Sequence, residues 1–235
     1  MPLGAIRFLT VLPLGPHPEP EEVGRRAWLG LPTVGLISGL IAGVVAWLLR
    51  SSPAVGPAVV GALVLLEGAQ HLDGLVDLGD AILSWMAGGD PERAMKDARV
   101  GVGGLAAGAL ALITLSACLS SIPFYALVPL EVWSRYAALP LAAAGEPPRY
   151  SVSGRVFTEH VDADQVLLGG VVSILLSLPY SPEATLVCAL CALASSWLSL
   201  LLAERVVGGV NGDVLGAAVW LARALSGIPL SCLPW

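Results

Sequence analysis

Apolar stretches of about twenty residues recur along this chain, and they constrain its fold more than any other feature. The hydrocarbon core of a bilayer is about 30 Å thick, and an α-helix of about 20 residues spans it. The pattern predicts seven membrane helices, at residues 27–49, 55–71, 103–121, 124–144, 163–179, 183–203 and 213–230. Only 13% of the residues are charged, against about 25% in soluble domains. We therefore expect an all-α, polytopic integral membrane protein, with one domain over residues 1–235.

Basic residues are distributed unevenly between the two sides that these helices define. With the N-terminus in the cytoplasm, nine fall in cytoplasmic segments: Arg7, Arg25, Arg26, Arg93, Lys96, Arg99, Arg149, Arg155 and Arg205. Only Arg50 falls outside, and Arg135 and Arg223 lie within helices. The positive-inside rule therefore predicts a cytoplasmic N-terminus. The polar linkers 67–101, 145–162 and 204–213 then share the cytoplasmic face of the cell membrane.

The charge balance and the first helix bear on the partners of the chain. A net charge of −6 argues against a nucleic-acid partner, since such proteins carry basic surfaces. Gly35, Gly39 and Gly43 recur at a spacing of four residues, which lets helix backbones approach closely in lipid. The expected surroundings are a lipid bilayer, and the sequence leaves a homo-oligomer open.

Three aspartates follow the second predicted membrane helix, in the segment HLDGLVDLGDA. Asp73, Asp77 and Asp80 are spaced by four and then three residues, so they share one face of a helix. Burying three such charges at the bilayer centre would cost on the order of 8–10 kcal/mol. A stripe at the membrane surface that binds a cation avoids this cost, and oxygen ligands suit Mg²⁺, Mn²⁺ or Ca²⁺. The alternative is a solvated helix end, where acidic residues favour the helix dipole.

Further candidates flank the stripe on both sides. Glu67 precedes it and is an additional possible ligand, and His71 is either a proton acceptor or an amphipathic residue at the interface. In the following linker, Asp97 is a further candidate metal ligand. Lys96 and Arg99 are candidates for holding phosphate oxygens, although a basic cytoplasmic loop also explains them.

Two later segments carry charges within or next to apolar helices. Arg135 lies inside a predicted membrane helix, with Glu131 one turn before it. An intramembrane ionisable residue indicates a functional site, and a structural ion pair with Glu131 is the competing interpretation. In GGVNGDVLGA, Asp213 begins a helix, either as an N-cap or beside a backbone nest that binds phosphate.

Several segments together resemble one family. HLDGLVDLGDA, AMKDARVGVGGLA, SRYAALPLA and GGVNGDVLGAA resemble the cobalamin (5′-phosphate) synthases, the adenosylcobinamide-GDP ribazoletransferases. FLTVLPL near the N-terminus and LPTVGLISG of the first helix fit the same family. The matching segments span nearly the whole chain, and residues 145–190 match only in hydropathy.

The resemblance implies a Mg²⁺-dependent membrane transferase. The hydroxyl of α-ribazole, or of its 5′-phosphate, would attack the phosphate on cobinamide in adenosylcobinamide-GDP, and GMP would leave. By this resemblance Asp73, Asp77 and Asp97 are expected metal ligands, and Asp80 is a ligand or the general base. The resemblance also places Arg135 on phosphate oxygens, and Asn211 with Asp213 on the nucleotide or second-metal side.

Two other classes of protein remain open at this point. The CDP-alcohol phosphotransferases also use aspartates on membrane helices, but their pattern begins DGxxAR. Asp77 and Leu78 stand here where Ala and Arg are expected, so a lipid-alcohol phosphotransferase is the weaker alternative. An ion transporter that uses acidic residues would place its carboxylates near the bilayer midplane.

Overall fold

A computed structural model describes residues 2–15, 18–148 and 153–235, and no β-strand occurs in these residues. The helices are α1 (Pro2–Leu9), α2 (Pro20–Arg25), α3 (Ala27–Leu48), α4 (Val55–Leu66), α5 (Gln70–Met86), α6 (Pro91–Met95), α7 (Val102–Leu119), α8 (Leu127–Tyr136), α9 (Ala138–Ala144), α10 (Ser153–Thr158), α11 (Ala163–Ser177), α12 (Pro182–Leu202) and α13 (Gly212–Ser231). A 3-10 turn at Phe124–Ala126 precedes α8, and a π-helical turn at Ala203–Val207 follows α12. The predicted all-α class is confirmed.

The centre of the bundle is formed by α8, which is buried along its whole length. The predicted glycine face of α3 packs against it. A Cβ added at Gly35 would come within 2.6 Å of the Val132 Cα, and one at Gly39 within 2.7 Å of the Val128 Cα. Because real side chains do not tolerate such distances, these glycines let the two helix backbones touch. The packing role assigned to them from the sequence is confirmed.

The outer helices carry large apolar side chains on their exposed faces. Leu110 on α7, Leu175 on α11 and Leu186 on α12 are each more than 60% exposed. Exposed apolar surface of this extent is unfavourable in water but matches the hydrocarbon of a bilayer. Among the residues that the structure describes, four helices are long and apolar enough to cross a membrane: α3, α7, α12 with its π-turn, and α13.

Two of the seven predicted membrane helices are broken. The helix predicted at 55–71 ends at Leu66, and α5 continues at an angle of 96° to α4. With 12 residues, α4 is only about 18 Å long, and the bent pair counts as one further span or a re-entrant loop. The helix predicted at 124–144 divides into the 3-10 turn, α8 and α9. The number seven therefore remains a prediction.

The polar linkers meet at one end of the bundle. The backbone amide of Val210 donates to the carbonyl of Glu146 at 2.8 Å. The side chain of Gln165 at the start of α11 donates to the carbonyl of His160 and accepts from the Trp28 amide. This end, called the linker end below, also carries α5, α6 and the first turn of α13. The contact of Val210 with Glu146 joins the described parts of linkers 145–162 and 204–213. The sharing of one membrane face by all three linkers stays a prediction, and Arg149 lies outside the described residues.

Candidate active site

A left-handed turn between α4 and α5 shapes the site. Gly68 and Ala69 have φ angles of 59° and 61°, and the Ala69 amide closes the end of α4 on the carbonyl of Val64. Positive φ is rare for a residue with a side chain, so packing must hold Ala69 in place. The turn directs α5 across the linker end of the bundle. The aspartate stripe therefore does not continue the direction of the preceding span.

The turn also points Glu67 into the bundle, where it meets two arginines. Arg135 Nη2 donates to Glu67 Oε1 at 2.5 Å, and Arg223 Nη1 donates to Glu67 Oε2 at 3.2 Å. Arg223 binds Glu131 through Nε at 2.8 Å and through Nη2 at 2.6 Å. All four side chains are fully buried. Two carboxylates thus balance two guanidinium groups, which removes the cost of an unpaired buried charge.

This charge network corrects two interpretations made from the sequence. The direct partner of Arg135 is Glu67, because Glu131 is taken by Arg223. Glu67 was also a candidate metal ligand, but both of its oxygens accept hydrogen bonds from arginines and it is fully buried. We therefore assign Glu67 to the network and not to a metal site. Arg223 was noted only for topology, although the rule that singled out Arg135 applies to it as well.

His71 links the network to an open pocket. Its Nε2 lies 2.9 Å from Arg135 Nη1, and its Nδ1 lies 3.4 Å from Glu67 Oε2. Since a guanidinium only donates, Nε2 accepts and the proton sits on Nδ1. His71 and Arg135 both line a pocket of about 270 Å³, together with Gln70, Asp73 and Asp213. The remaining wall is mostly apolar and includes Phe8, Leu9, Leu31, Phe157 and Leu215.

Tight packing of α5 on α13 brings Asp73 and Asp213 to the same pocket. A Cβ added at Gly74 would lie 2.8 Å from the Asp213 Cα, and one at Gly216 would lie 3.0 Å from the His71 Cα. Asp77 stands one turn further along α5, where it is close enough for the charges of Asp73 and Asp213 to act on it. The structure thus adds Asp213 to the stripe predicted from α5 alone.

Asp73, Asp77 and Asp213, called the acidic stripe from here on, have no basic partner in the described part of the chain. No ion pair joins Asp73, Asp77 or Asp213 to a lysine, arginine or histidine among those residues. Within the same residues, no three His, Cys, Asp or Glu side chains stand in a group that would hold a metal ion as they are.

Asp80 has a different environment from its neighbours. Its two oxygens accept hydrogen bonds from the backbone amides of Gly101 and Gly104, each at 2.8 Å. These amides lie at the start of α7, so Asp80 caps that helix from a distance of more than twenty residues in sequence. Capping by a carboxylate stabilises an N-terminus through its free N–H groups and its dipole. Asp80 does not line the pocket.

The start of α13 is capped by Asn211, and not by Asp213. Asn211 Oδ1 accepts from the Val214 amide at 2.9 Å, and its Nδ2 donates to Asp213 Oδ2 at 3.1 Å. The N-cap interpretation considered for Asp213 is therefore wrong. With the first turn capped by its neighbour, the Asp213 side chain stays at the pocket.

The candidates from the linker before α7 lie apart from the pocket. Asp97 pairs with Arg99 at 2.8 Å, and Lys96 pairs with Glu92 at 2.5 Å. The hydrogen bonds from Arg99 lower the pKa of Asp97 to about 2. None of Lys96, Asp97 and Arg99 lines the pocket, so the structure does not bring them to the same place as Asp73.

Two phenylalanines of the pocket were not singled out as site residues from the sequence, although Phe8 begins the family segment FLTVLPL. Phe8 on α1 and Phe157 on α10 have ring centroids 6.4 Å apart, with an interplanar angle of 55°. They come from short helices that only tertiary packing brings together. An isolated aromatic residue in a short amphipathic segment does not indicate a site.

These features define a helical membrane protein with a pocket that combines carboxylates, a buried arginine and aromatic rings at one end of the bundle. A family profile described as cobalamin-5-phosphate synthase matches residues 2–230, and the chain belongs to this family. This chain is 57% identical over 235 residues to the adenosylcobinamide-GDP ribazoletransferase of Methanopyrus kandleri. The alignment covers 99% of this chain and 98% of that protein.

More distant relatives carry the same name. The protein of Pyrococcus abyssi is 34% identical over 92% of this chain and 91% of its own length. That of Ectopseudomonas mendocina is 36% identical over 97% of this chain and 96% of its own length. No solved structure matches this chain significantly. The family expected from the sequence motifs is therefore confirmed.

Proposed function

We propose that this chain is an adenosylcobinamide-GDP ribazoletransferase that completes the nucleotide loop of cobalamin. The substrates are adenosylcobinamide-GDP and α-ribazole or its 5′-phosphate, and the second product is GMP. Membership of the family and the near full-length relatives support this activity. The observation that carries it is the pocket that places Asp73 and Asp213 beside Arg135 and His71.

The donor set of the acidic stripe fits Mg²⁺. Asp73, Asp77 and Asp213 offer oxygen atoms only, and no basic side chain in the described residues offsets their charge. Hard cations prefer such ligands, so we assign the metal site to these three residues, whose side chains would have to draw together on the ion, because they do not form a three-ligand group as they stand in the described residues. Bound Mg²⁺ would neutralise charge on the diphosphate.

Arg135 is the group that we assign to the phosphate. It lines the pocket, and its Nε is buried without a hydrogen-bond partner in the described residues. A guanidinium binds phosphate oxygens in a planar, two-point arrangement. Glu67 and His71 hold the other two nitrogens. His71, whose Nε2 accepts from Arg135, thereby orients the arginine.

The transferred group passes from GMP to the ribose hydroxyl in a single exchange of bonds. The hydroxyl oxygen attacks the phosphorus attached to cobinamide, the diphosphate P–O bond breaks, and GMP leaves with the electron pair. The hydroxyl proton passes to water at the open side of the pocket, since Asp73, the exposed pocket carboxylate, is assigned to the metal. Asp80, which the sequence offered as a general base, has both oxygens on the start of α7.

We further propose that the pocket faces the cytoplasm from the cell membrane. The excess of basic residues in the linkers supports this orientation, and the described linkers gather at the linker end. Both soluble substrates would then have access to the acidic stripe. A transporter is less well supported, since it would need its carboxylates near the midplane.

An assay of the purified protein tests the proposed activity. Adenosylcobinamide-GDP and α-ribazole are incubated with the protein in detergent and Mg²⁺, and cobalamin and GMP are quantified by chromatography. We expect both products to form in equal amounts. Absence of GMP release with a folded protein that binds both substrates would contradict the proposal.

A further inference from the structure

The pocket has two chemically different parts, and they bear on how the acceptor binds. Asp73, Arg135 and Asp213 line the polar part, which suits the phosphates and the reacting hydroxyl. Phe8 and Phe157 belong to the apolar part, together with Leu31. None of the pocket residues from α1, α3 and α10 is charged. The apolar part therefore suits an uncharged group joined to a polar one.

The size of the pocket distinguishes between the two substrates. Pockets for drug-sized ligands usually measure about 300–1,000 Å³, and this one measures about 270 Å³. A nucleoside with two fused rings and a ribose is of this size. A corrin ring with its side chains is several times larger and cannot enter as a whole. The pocket therefore fits the acceptor and leaves the corrin outside.

The two phenylalanine rings supply a surface for a flat aromatic base. Their centroids are 6.4 Å apart, within the range of about 4.5–7 Å in which two aromatic rings pack on each other. The two rings therefore form one continuous aromatic surface. Phe157 is 9% exposed, and Phe8 is half-buried. A benzimidazole in contact with both rings would keep its ribose toward the polar part of the pocket.

We propose that Phe8 and Phe157 bind the aromatic base of α-ribazole and determine which bases the enzyme accepts. This inference rests on the proposed function. Contact with apolar walls discriminates against bases with unmatched polar groups, because burying an amine without a partner is unfavourable. Ribosides of dimethylbenzimidazole and benzimidazole should therefore bind more tightly than an α-riboside of adenine.

The test compares Phe8→Leu and Phe157→Leu with a matched control, Phe124→Leu. Phe124 is exposed in the turn before α8 and does not line this pocket. Binding of α-ribazole to each protein in detergent is measured by equilibrium dialysis, and KM is measured separately for each substrate. Since loss of a stacked base costs about tenfold or more in affinity, Kd and KM for α-ribazole should rise by about this factor in the pocket variants. KM for adenosylcobinamide-GDP should not change, and Phe124→Leu should resemble the wild type.

Three outcomes separate this inference from the proposed function. If the wild type transfers the group but neither pocket variant changes the Kd of α-ribazole, the aromatic subsite is wrong and the function stands. If the variants raise the KM of adenosylcobinamide-GDP instead, the pocket holds the other substrate and the inference is again wrong. If the wild type binds α-ribazole through both phenylalanines but releases no GMP, the subsite stands and the proposed function fails. Phe157→Tyr, which keeps the ring, should retain binding and guards against a Leu variant that does not fold.

Discussion

Glu67 and Arg135 are 68 positions apart in the sequence and are joined by a hydrogen bond of 2.5 Å between two fully buried side chains. Arg223 and Glu131 complete the network on its inner side, and His71 connects it to the pocket. One arginine of the network, Arg135, therefore belongs both to the interior and to the pocket. Arg223 belongs to the interior alone, so the two arginines allow structure and catalysis to be separated.

Replacement of each arginine by lysine should separate the two roles. Arg135→Lys loses the planar contact to phosphate, so kcat should fall by about tenfold or more, equivalent to about 1.4 kcal/mol in the barrier. Arg223→Lys should lower the melting temperature in detergent at least as much while reducing kcat less. If activity follows the folded fraction equally in both variants, Arg135 has no separate role in catalysis.

Removal of Glu67 should be among the most destabilising single changes. Glu67→Ala leaves two guanidinium groups facing each other without their shared carboxylate, and removing one partner of a buried pair costs about 3–5 kcal/mol. Thermal unfolding in detergent measures the loss. Asp73→Ala is the control, since Asp73 is exposed and has no ion pair in the described residues; it should reduce turnover with little effect on stability.

Asp80 is expected to contribute through the stability of α7. Asp80→Ala removes both acceptors for the Gly101 and Gly104 amides, and loss of a cap costs about 0.5–2 kcal/mol. Hydrogen exchange at the first turn of α7 should increase, and the melting temperature should fall. Unchanged exchange there together with complete loss of activity would instead favour the ligand or base role expected from the sequence.

The contact between α5 and α13 predicts a large difference between two glycines. Gly74→Ala would push the Asp213 backbone away, since the added Cβ lies within 3.0 Å of three of its atoms. Overpacking of this kind costs about 1–3 kcal/mol, and we expect activity to fall with stability. Gly61→Ala is the matched control, because a Cβ there meets nothing within 4 Å. Equal melting temperatures for the two variants would contradict the observed contact.

Removal of divalent cations tests the acidic stripe. Excess EDTA should abolish transfer without unfolding the protein, and Mn²⁺ should restore part of the activity, since it accepts the same oxygen ligands. Asp77→Asn should remain inactive at Mg²⁺ concentrations that saturate the wild type. Full turnover in EDTA would show that the three carboxylates do not act through a metal.

The orientation in the membrane can be tested with single cysteines. Glu159 lies in the linker after α10, and Ser51 lies between α3 and α4 at the other end of the bundle. In a background where the exposed Cys232 is replaced by serine, Glu159→Cys should react with an impermeant maleimide only from the cytoplasmic side. Ser51→Cys should react only from outside. The reverse pattern would place the pocket away from its soluble substrates.

The sequence by itself determined the helical membrane class, because apolar length and scarcity of charge are properties of local composition. It also identified the family, because the matching motifs are contiguous segments of sequence. It placed Asp73 and Asp77 on one face, because residues spaced by four share a helix face whatever the helix packs against. The glycine face of α3 belongs to the same group, since small residues at this spacing allow close packing in lipid.

Only the tertiary structure decided which charges meet. Arg135 pairs with Glu67 instead of the nearby Glu131, and Asp80 caps a helix more than twenty residues away. The bend after Leu66, the joining of Asp213 to the stripe, and the meeting of Phe8 with Phe157 depend on contacts between distant segments. Local spacing predicts which residues share a face of one helix, but the partner across an interface is set by how the helices pack, and the spacing along one helix does not contain that information.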